Sequence, residues 1–215
     1  MTRLSPLDLN PDALRRLARE RLDPALAPDA FRSEPRAGDI AIGRTADART
    51  LAAARPAAVL APIVARPTGL TMLLTLRSPT LRAHSGQVAF PGGKIDEGET
   101  PATTALREAE EEIGLEARFI EPLGWLSPYL TGTGYRVAPL VALVDPGFTL
   151  TLNPDEVAEA FETPFAFLMD AANHRLEERV LQGVTRKFYA MPYEGRYIWG
   201  ATAGIVRNLY ERLFS

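Results

Sequence analysis

Four glutamates, Glu108, Glu110, Glu111 and Glu112, crowd the end of one segment, and a glycine turn, Gly92-Gly93-Lys94, opens it. Glu99 and Arg107 lie between. Carboxylates at this density are the preferred ligands of hard divalent ions such as Mg²⁺ and Mn²⁺. A metal held beside a glycine turn suits phosphate chemistry. The plainer explanation of an acidic run is a solvated helix face, and Glu110–Glu112 alone does not go beyond it.

The element that must position these side chains is a helix. Thr100 supplies an N-cap and Pro101 fills the first helical position, where no amide hydrogen is needed. Ala102, Ala105, Leu106, Ala109 and Ile113 recur at helical spacing and predict one buried stripe, its alanines suited to close packing on a sheet. Gly114 stops the helix and Leu115 can fold back onto it. At about 100° per residue, Glu108, Glu111 and Glu112 share one flank, while Glu110 falls on the other. Glu108 and Glu112, one turn apart, border the apolar stripe. Like charges at that spacing cost a few tenths of a kcal/mol, a sign that a bound cation would reverse.

Other phosphate and metal motifs fit less well. Gly92-Gly93-Lys94 lacks the order of a P-loop, and Asp96–Glu99 lacks the alternating oxygen ligands of an EF-hand loop. Upstream, Leu70, Met72, Leu74 and Leu76 partly alternate as in a strand that ends at Arg77. Arg82 and Gly86 follow in a loop before a short strand at Gln87–Phe90. Two arginines flanking a loop suit phosphate oxygens, which guanidinium groups meet bidentately, though a pair of surface arginines explains the segment equally well.

Taken together, residues 93–115 resemble the Nudix box, Gly-x5-Glu-x7-Arg-Glu-U-x-Glu-Glu-x-Gly-U, with U a bulky aliphatic residue. Gly93, Glu99, Arg107, Glu108, Glu111, Glu112, Gly114 and Leu115 match, and Ala109 departs by being small. Residues 73–93 are similar to the marker that precedes the box in the coenzyme A diphosphatase subgroup. Leu73, Leu74, Thr75, Arg77, Ser78, Arg82, Gly86, Phe90, Pro91, Gly92 and Gly93 occupy its fixed positions. The two motifs span about a fifth of the chain.

The resemblance implies an α/β fold, a Nudix-type α/β/α sandwich with a mixed central sheet. It implies hydrolysis of the diphosphate of coenzyme A or its derivatives with Mg²⁺ or Mn²⁺. Glu108, Glu111, Glu112 and the Gly92 carbonyl are the implied metal ligands. Arg77, Arg82 and Gly86 fall on the substrate side. Gly93, Glu99, Arg107 and Gly114 are structural in the motif, Arg107 by binding Glu99. The family often brings a glutamate from a later loop to the metals as ligand or base. Glu156, ahead of Glu159, is the candidate, and a helix N-terminus that favours acids explains the same stretch. A Nudix enzyme for NADH or ADP-ribose, and a Nudix-fold binding module without turnover, are the alternatives.

The remainder of the chain sets bounds. At 215 residues and 46% hydrophobic it can bury a sizeable core. A net charge of −3 argues against nucleic acid as a partner. The absence of cysteine excludes disulfides, zinc-thiolate sites and a thiol nucleophile. No segment reads as a membrane span or a signal peptide, so the expected location is cytoplasmic, without a membrane partner. A homodimer is left open. Residues 1–50 read as an N-terminal arm with a short basic helix from Asn10-Pro11 to Leu22, and residues 51–215 as the Nudix domain. Within that domain strands are predicted at 57–65, 71–77, 87–90, 119–126, 136–143, 186–191 and 196–199. Helices are predicted after Thr163-Pro164 and from Ala201 to Leu213. His84 sits at a variable position of the upstream motif and receives no catalytic role. Tyr189, Tyr193, Tyr197 and Trp199 could stack on a base, although aromatics in a strand pair more often belong to a core.

Overall fold

The computed structural model describes residues 9–33, 35, 37–38, 52–81, 84–181 and 184–215. In chain order the elements are α1 (Pro11–Arg21), β1 (Ala37–Gly38), β2 (Arg55–Arg66), β3 (Gly69–Arg77), β4 (Val88–Ala89), β5 (Gly92–Lys94) and α2 (Pro101–Ile113). They continue with β6 (Ile120–Trp125), β7 (Tyr129–Leu130), β8 (Tyr135–Val144), β9 (Val157–Pro164) and α3 (Phe165–Leu168). The chain closes with β10 (Arg175–Leu181), β11 (Val184–Tyr193), β12 (Arg196–Trp199) and α4 (Ala201–Phe214).

Strands β2 and β8 pair in parallel from Arg55↔Tyr135 to Val64↔Val144 and form the spine of a mixed sheet. Both strands are apolar on both faces, the pattern of strands covered on two sides. Ala58, Leu60 and Val64 of β2, with Ala138, Leu140 and Ala142 of β8, pack under Ala105, Ala109 and Ile113 of α2. The alternate residues Ala57, Ala61, Ile63, Val137 and Val141 face a second core shared with α1 and α4. The expected sandwich with a mixed sheet is therefore present. The small side chains of α2 admit close approach, as their sequence implies. The basic helix α1 buries Ala13, Leu14, Leu17 and Ala18 against β6 and α4.

Around the spine, β3 returns antiparallel from β2, and β9 and β4 pair with β3. A separate antiparallel sheet runs β10-β11-β12. The sequence reading differs from this in several places, and it does not include the short strands β1 and β7. The strand expected at 87–90 is only Val88–Ala89, and a further short strand, β5, follows Pro91 and pairs with β2. The acidic stretch 153–159, for which a helix start is one explanation, is instead a turn running into β9, whose Phe161 pairs with Leu74 in the sheet. The helix after Thr163-Pro164 is a single turn, Phe165–Leu168, and β10 lies in a stretch given no element from sequence.

Candidate active site

The caps of α2 form as its ends dictate. The Thr100 side chain accepts from the Thr103 amide, and the Thr103 hydroxyl accepts from the Thr100 amide. Gly114 takes a left-handed conformation, φ 69°, and its amide donates to the Glu110 carbonyl at 2.8 Å. The helix thus ends at a defined residue, with Glu112 turned inward.

The four glutamates are sorted by their surroundings. The Glu112 side chain is 3% exposed, against 56% for Glu111. Burial pushes the Glu112 carboxyl up to about 8; Arg77 opposes this, while the negative charges of Glu108 and Glu156 add to it. The Gly92 amide donates to the Glu112 carboxylate, which partly offsets the burial. Burial also raises Glu108, again with Arg107 opposing and with Glu111 and Glu156 adding to the shift. Glu110 is exposed on the outer flank.

Arg107 anchors the opposite side. Its Nε and Nη2 donate to Glu99 at 2.7 and 3.1 Å, and its Nη1 lies 2.7 Å from Glu111 and 3.0 Å from Glu108. Together with the Thr104 hydroxyl, this holds the Glu99 carboxyl down at about 2. Arg107 and Glu99 therefore clamp the loop 94–100 onto α2, while Arg107 draws Glu111 away from Glu112. Gly93 lies against this cluster: a Cβ there would stand 2.2 Å from Glu108 Oε1. Glycine here lets the main chain pass close to the carboxylate in its present position.

Two further segments meet the helix end. Arg77 closes β3 and places Nη1 3.8 Å from Glu112 Oε1. The register between β3 and β9 shifts between Leu76 and Arg77, a bulge that re-aims the arginine. The turn at Asn153–Glu156 is docked by its main chain: Asn153 N–H donates to the Glu112 carbonyl at 2.9 Å, and Ser78 N–H to the Glu156 carbonyl at 2.8 Å. Glu156 is thereby delivered beside Glu108 and Glu112. Glu159, the lesser candidate, forms an ion pair with Arg196. Gly86 turns the loop back with φ +67°, its amide donating to the Arg77 carbonyl at 3.1 Å. Arg82 lies outside the described residues.

Glu108, Glu112 and Glu156 form a half-buried acidic group that, among the described residues, is balanced by a distant Arg77 and the shared Arg107. Among the described residues no three His, Asp or Glu side chains converge into a closed ligand cage. The donor set nonetheless fits a hard divalent ion. All three groups are carboxylates, and two of them are shifted toward the neutral form by burial and by each other, the situation a bound cation reverses.

A cavity of about 520 Å³ lies beside this acidic group, and the residues that touch the glutamates, Arg77, Gly92 and Gly93, form part of its wall. Gln87 lines it as well, and Trp199 and Phe188 line the wall formed by β11 and β12. The same wall carries Arg179 and Arg186, which the sequence reading passed over. Neither belongs to a motif, and only the pairing of β10 with β11 makes them neighbours. Tyr189 and Tyr193 pack toward the core, so of the aromatics considered from sequence Trp199 is the one that lines the cavity.

Residues 54–183 match the NUDIX domain family. The chain is 42% identical over 160 residues to the uncharacterized Nudix hydrolase NudL of Photorhabdus laumondii subsp. laumondii, covering 74% of this chain and 85% of that protein. A NudL of Yersinia pestis is also 42% identical over 160 residues, covering 74% of this chain and 80% of its own. The solved NUDIX domain of Shewanella oneidensis NrtR, complexed with ADP ribose, superposes at TM-score 0.49 and 17% identity, over 81% of this chain and 97% of that one. No described helix is long and apolar enough to cross a membrane.

Proposed function

The chain belongs to the Nudix family of hydrolases, which act on pyrophosphate bonds and generally need divalent metal ions, and on that premise we propose that it cleaves the diphosphate linkage of coenzyme A or its derivatives. One observation carries the reading. The upstream marker at 73–93 does not lie apart from the acidic helix: its Arg77 sits at Glu112, and its Gln87, Gly92 and Gly93 line the same cavity.

In this reading Glu108, Glu112 and Glu156, with Glu111 and the Gly92 carbonyl, would hold Mg²⁺ or Mn²⁺. The bound ion supplies neutralisation of the diphosphate and Lewis acidity toward water and leaving oxygen. Arg77, Arg82 and Gly86 bind and orient the phosphates. A carboxylate oxygen of Glu108 or Glu156 accepts the proton of the attacking water. Arg107 and Glu99 keep the loop and helix in register and remain outside the chemistry. Water adds across the phosphoanhydride, giving 4′-phosphopantetheine, or its acyl form, and adenosine 3′,5′-bisphosphate.

A panel of coenzyme A, an acyl derivative, NADH and ADP-ribose, assayed with Mg²⁺ and with Mn²⁺, tests the proposal. Coenzyme A or the acyl derivative is expected to show the highest kcat/KM, by about tenfold or more, the discrimination worth roughly 1.4 kcal/mol. Equal or better turnover of NADH or ADP-ribose removes the coenzyme A assignment.

A further inference from the structure

The cavity wall formed by β10 and β11 carries positive charge that no ion pair among the described residues balances. In the β10–β11 register Arg179 stands directly opposite Arg186, so both guanidinium groups share one face of the hairpin. Like charges directly opposite on paired strands are destabilising. Neither arginine has an acidic side chain within ion-pair distance among the described residues. Nearby, Lys187 pairs with Glu178 at 2.8 Å, and Arg196 pairs with Glu159. Glu177, on the same face as Arg179, accepts from the Tyr197 hydroxyl. The Nε of Arg186 is buried without a hydrogen-bond partner, an arrangement that costs free energy unless a ligand supplies an acceptor.

The same face carries an aromatic surface. Phe188 and Trp199 meet edge to face with centroids 5.3 Å apart, and the Arg179 guanidinium lies over the Trp199 ring at 5.4 Å. Both rings line the cavity beside the two arginines. Two unpaired guanidinium groups next to a ring face offer what a phosphorylated nucleoside requires: bidentate donors for phosphate oxygens and a stacking platform for the base.

We propose that Arg179 and Arg186 form a second phosphate subsite, separate from the diphosphate site at Glu108 and Glu112, with Trp199 as the platform for the adjoining base. The substrate class is then a nucleoside diphosphate conjugate that carries an additional phosphate on its sugar. The inference rests on the reading of this cavity as the substrate site. It assigns specificity for the extra phosphate to the β10–β11 hairpin, and the cleaved bond to the side of the cavity that Arg77, Gly92 and Gly93 line.

The test separates this inference from the proposed activity by measuring binding without turnover. Adenosine 3′,5′-bisphosphate and adenosine 5′-monophosphate are titrated calorimetrically into the protein in metal-free buffer. The parent protein is expected to prefer the bisphosphate by roughly 10- to 100-fold, the range of one or two charge-assisted hydrogen bonds. Arg179→Gln with Arg186→Gln should bring that ratio close to one. The single changes should give intermediate ratios. Trp199→Leu should weaken both nucleotides by similar factors, on the order of tenfold. Because the two arginines repel each other, either single change should leave the melting temperature unchanged or higher, so loss of preference cannot be ascribed to unfolding. A parent protein without preference, or a double variant that retains it, overturns the subsite. If the preference is lost as expected but the parent cleaves no coenzyme A, the proposed activity falls and the subsite stands. If coenzyme A is cleaved while the double variant keeps the preference, the activity stands and the subsite falls.

Discussion

The glutamate helix and the β10–β11 hairpin flank one cavity, the helix through Arg77, Gly92 and Gly93 and the hairpin directly, and they solve opposite electrostatic problems. At the helix, Glu108, Glu112 and Glu156 gather negative charge in a half-buried place, with Arg77 3.8 Å from Glu112 as partial relief. At the hairpin, Arg179 and Arg186 stand opposite each other, and neither has an ion pair among the described residues. Next to the acidic group, Glu99 is fully paired with Arg107, which holds the Glu99 carboxyl at about 2. Complete pairs are scaffolding. Incomplete ones cost stability and persist where a ligand finishes them, and opposite signs on two sides of the cavity call for a cation at one and an anion at the other.

The sharpest way to break this comparison is at its acidic end. Glu112→Gln keeps the shape of the side chain and removes the charge that burial opposes. Turnover with Mg²⁺ should fall by at least about 10²-fold, above the effect typical of residues that only support a metal ligand. The melting temperature in metal-free buffer should equal or exceed that of the parent, because a desolvated carboxylate has been removed. A variant that retains turnover, or one that loses melting temperature and activity together, would mean that Glu112 is scaffolding like Glu99.

A milder change strikes the same end through the backbone. Gly93→Ala places a Cβ 2.2 Å from the present position of Glu108 Oε1. The carboxylate lies at the end of a flexible side chain and can swing away, so the fold should tolerate the change, with a cost of about 1 kcal/mol or less in denaturant unfolding. The displaced Glu108 should lower kcat by roughly 10- to 100-fold with little change in KM. A loss confined to KM would instead place Gly93 on the substrate side.

The two ends also differ in how far they could be read from sequence. Thr100, Pro101 and Gly114 define their helix within a few residues, and its wheel placed Glu112 at the buried edge. What the wheel could not separate was Glu111 from Glu112: they share a flank, and only Arg107, itself held by Glu99, draws the first away from the second. The strand β9 escaped because Ala158, Glu159 and Ala160 favour helix by local propensity, and pairing with β3 overrides it. The strand β10 escaped for another reason. Its apolar residues Leu176 and Val180 are 54% and 66% exposed, so no buried face imposes an alternating pattern. Arg179 and Arg186 become a site only through that pairing. Local encoding made one end legible, and long-range register hid the other.

The smallest expected effect comes from a titratable group remote from both ends. His174 is packed under α4, where its Nε2 donates to the Leu168 carbonyl at 2.7 Å and its Nδ1 faces Arg207 at 3.4 Å. Burial holds its pKa below the ordinary 6.5; Arg207 adds to that, while the Leu168 carbonyl, Asp170 and Glu211 oppose it. A lowered folded-state value means that the unfolded chain takes up the proton first. Stability is therefore full above about pH 6.5 and declines as pH falls toward the folded-state value. His174→Gln removes this linkage. Between pH 7 and pH 5 the parent should lose more in melting temperature than the variant. Turnover at pH 8 should change by less than roughly twofold. Equal pH slopes for the two proteins would show that His174 is not buried in its neutral form. A large loss of turnover would show that α4 transmits strain to Thr202 and Ile205, which line the cavity, and the division between scaffolding charges and cavity charges would then have to include this helix.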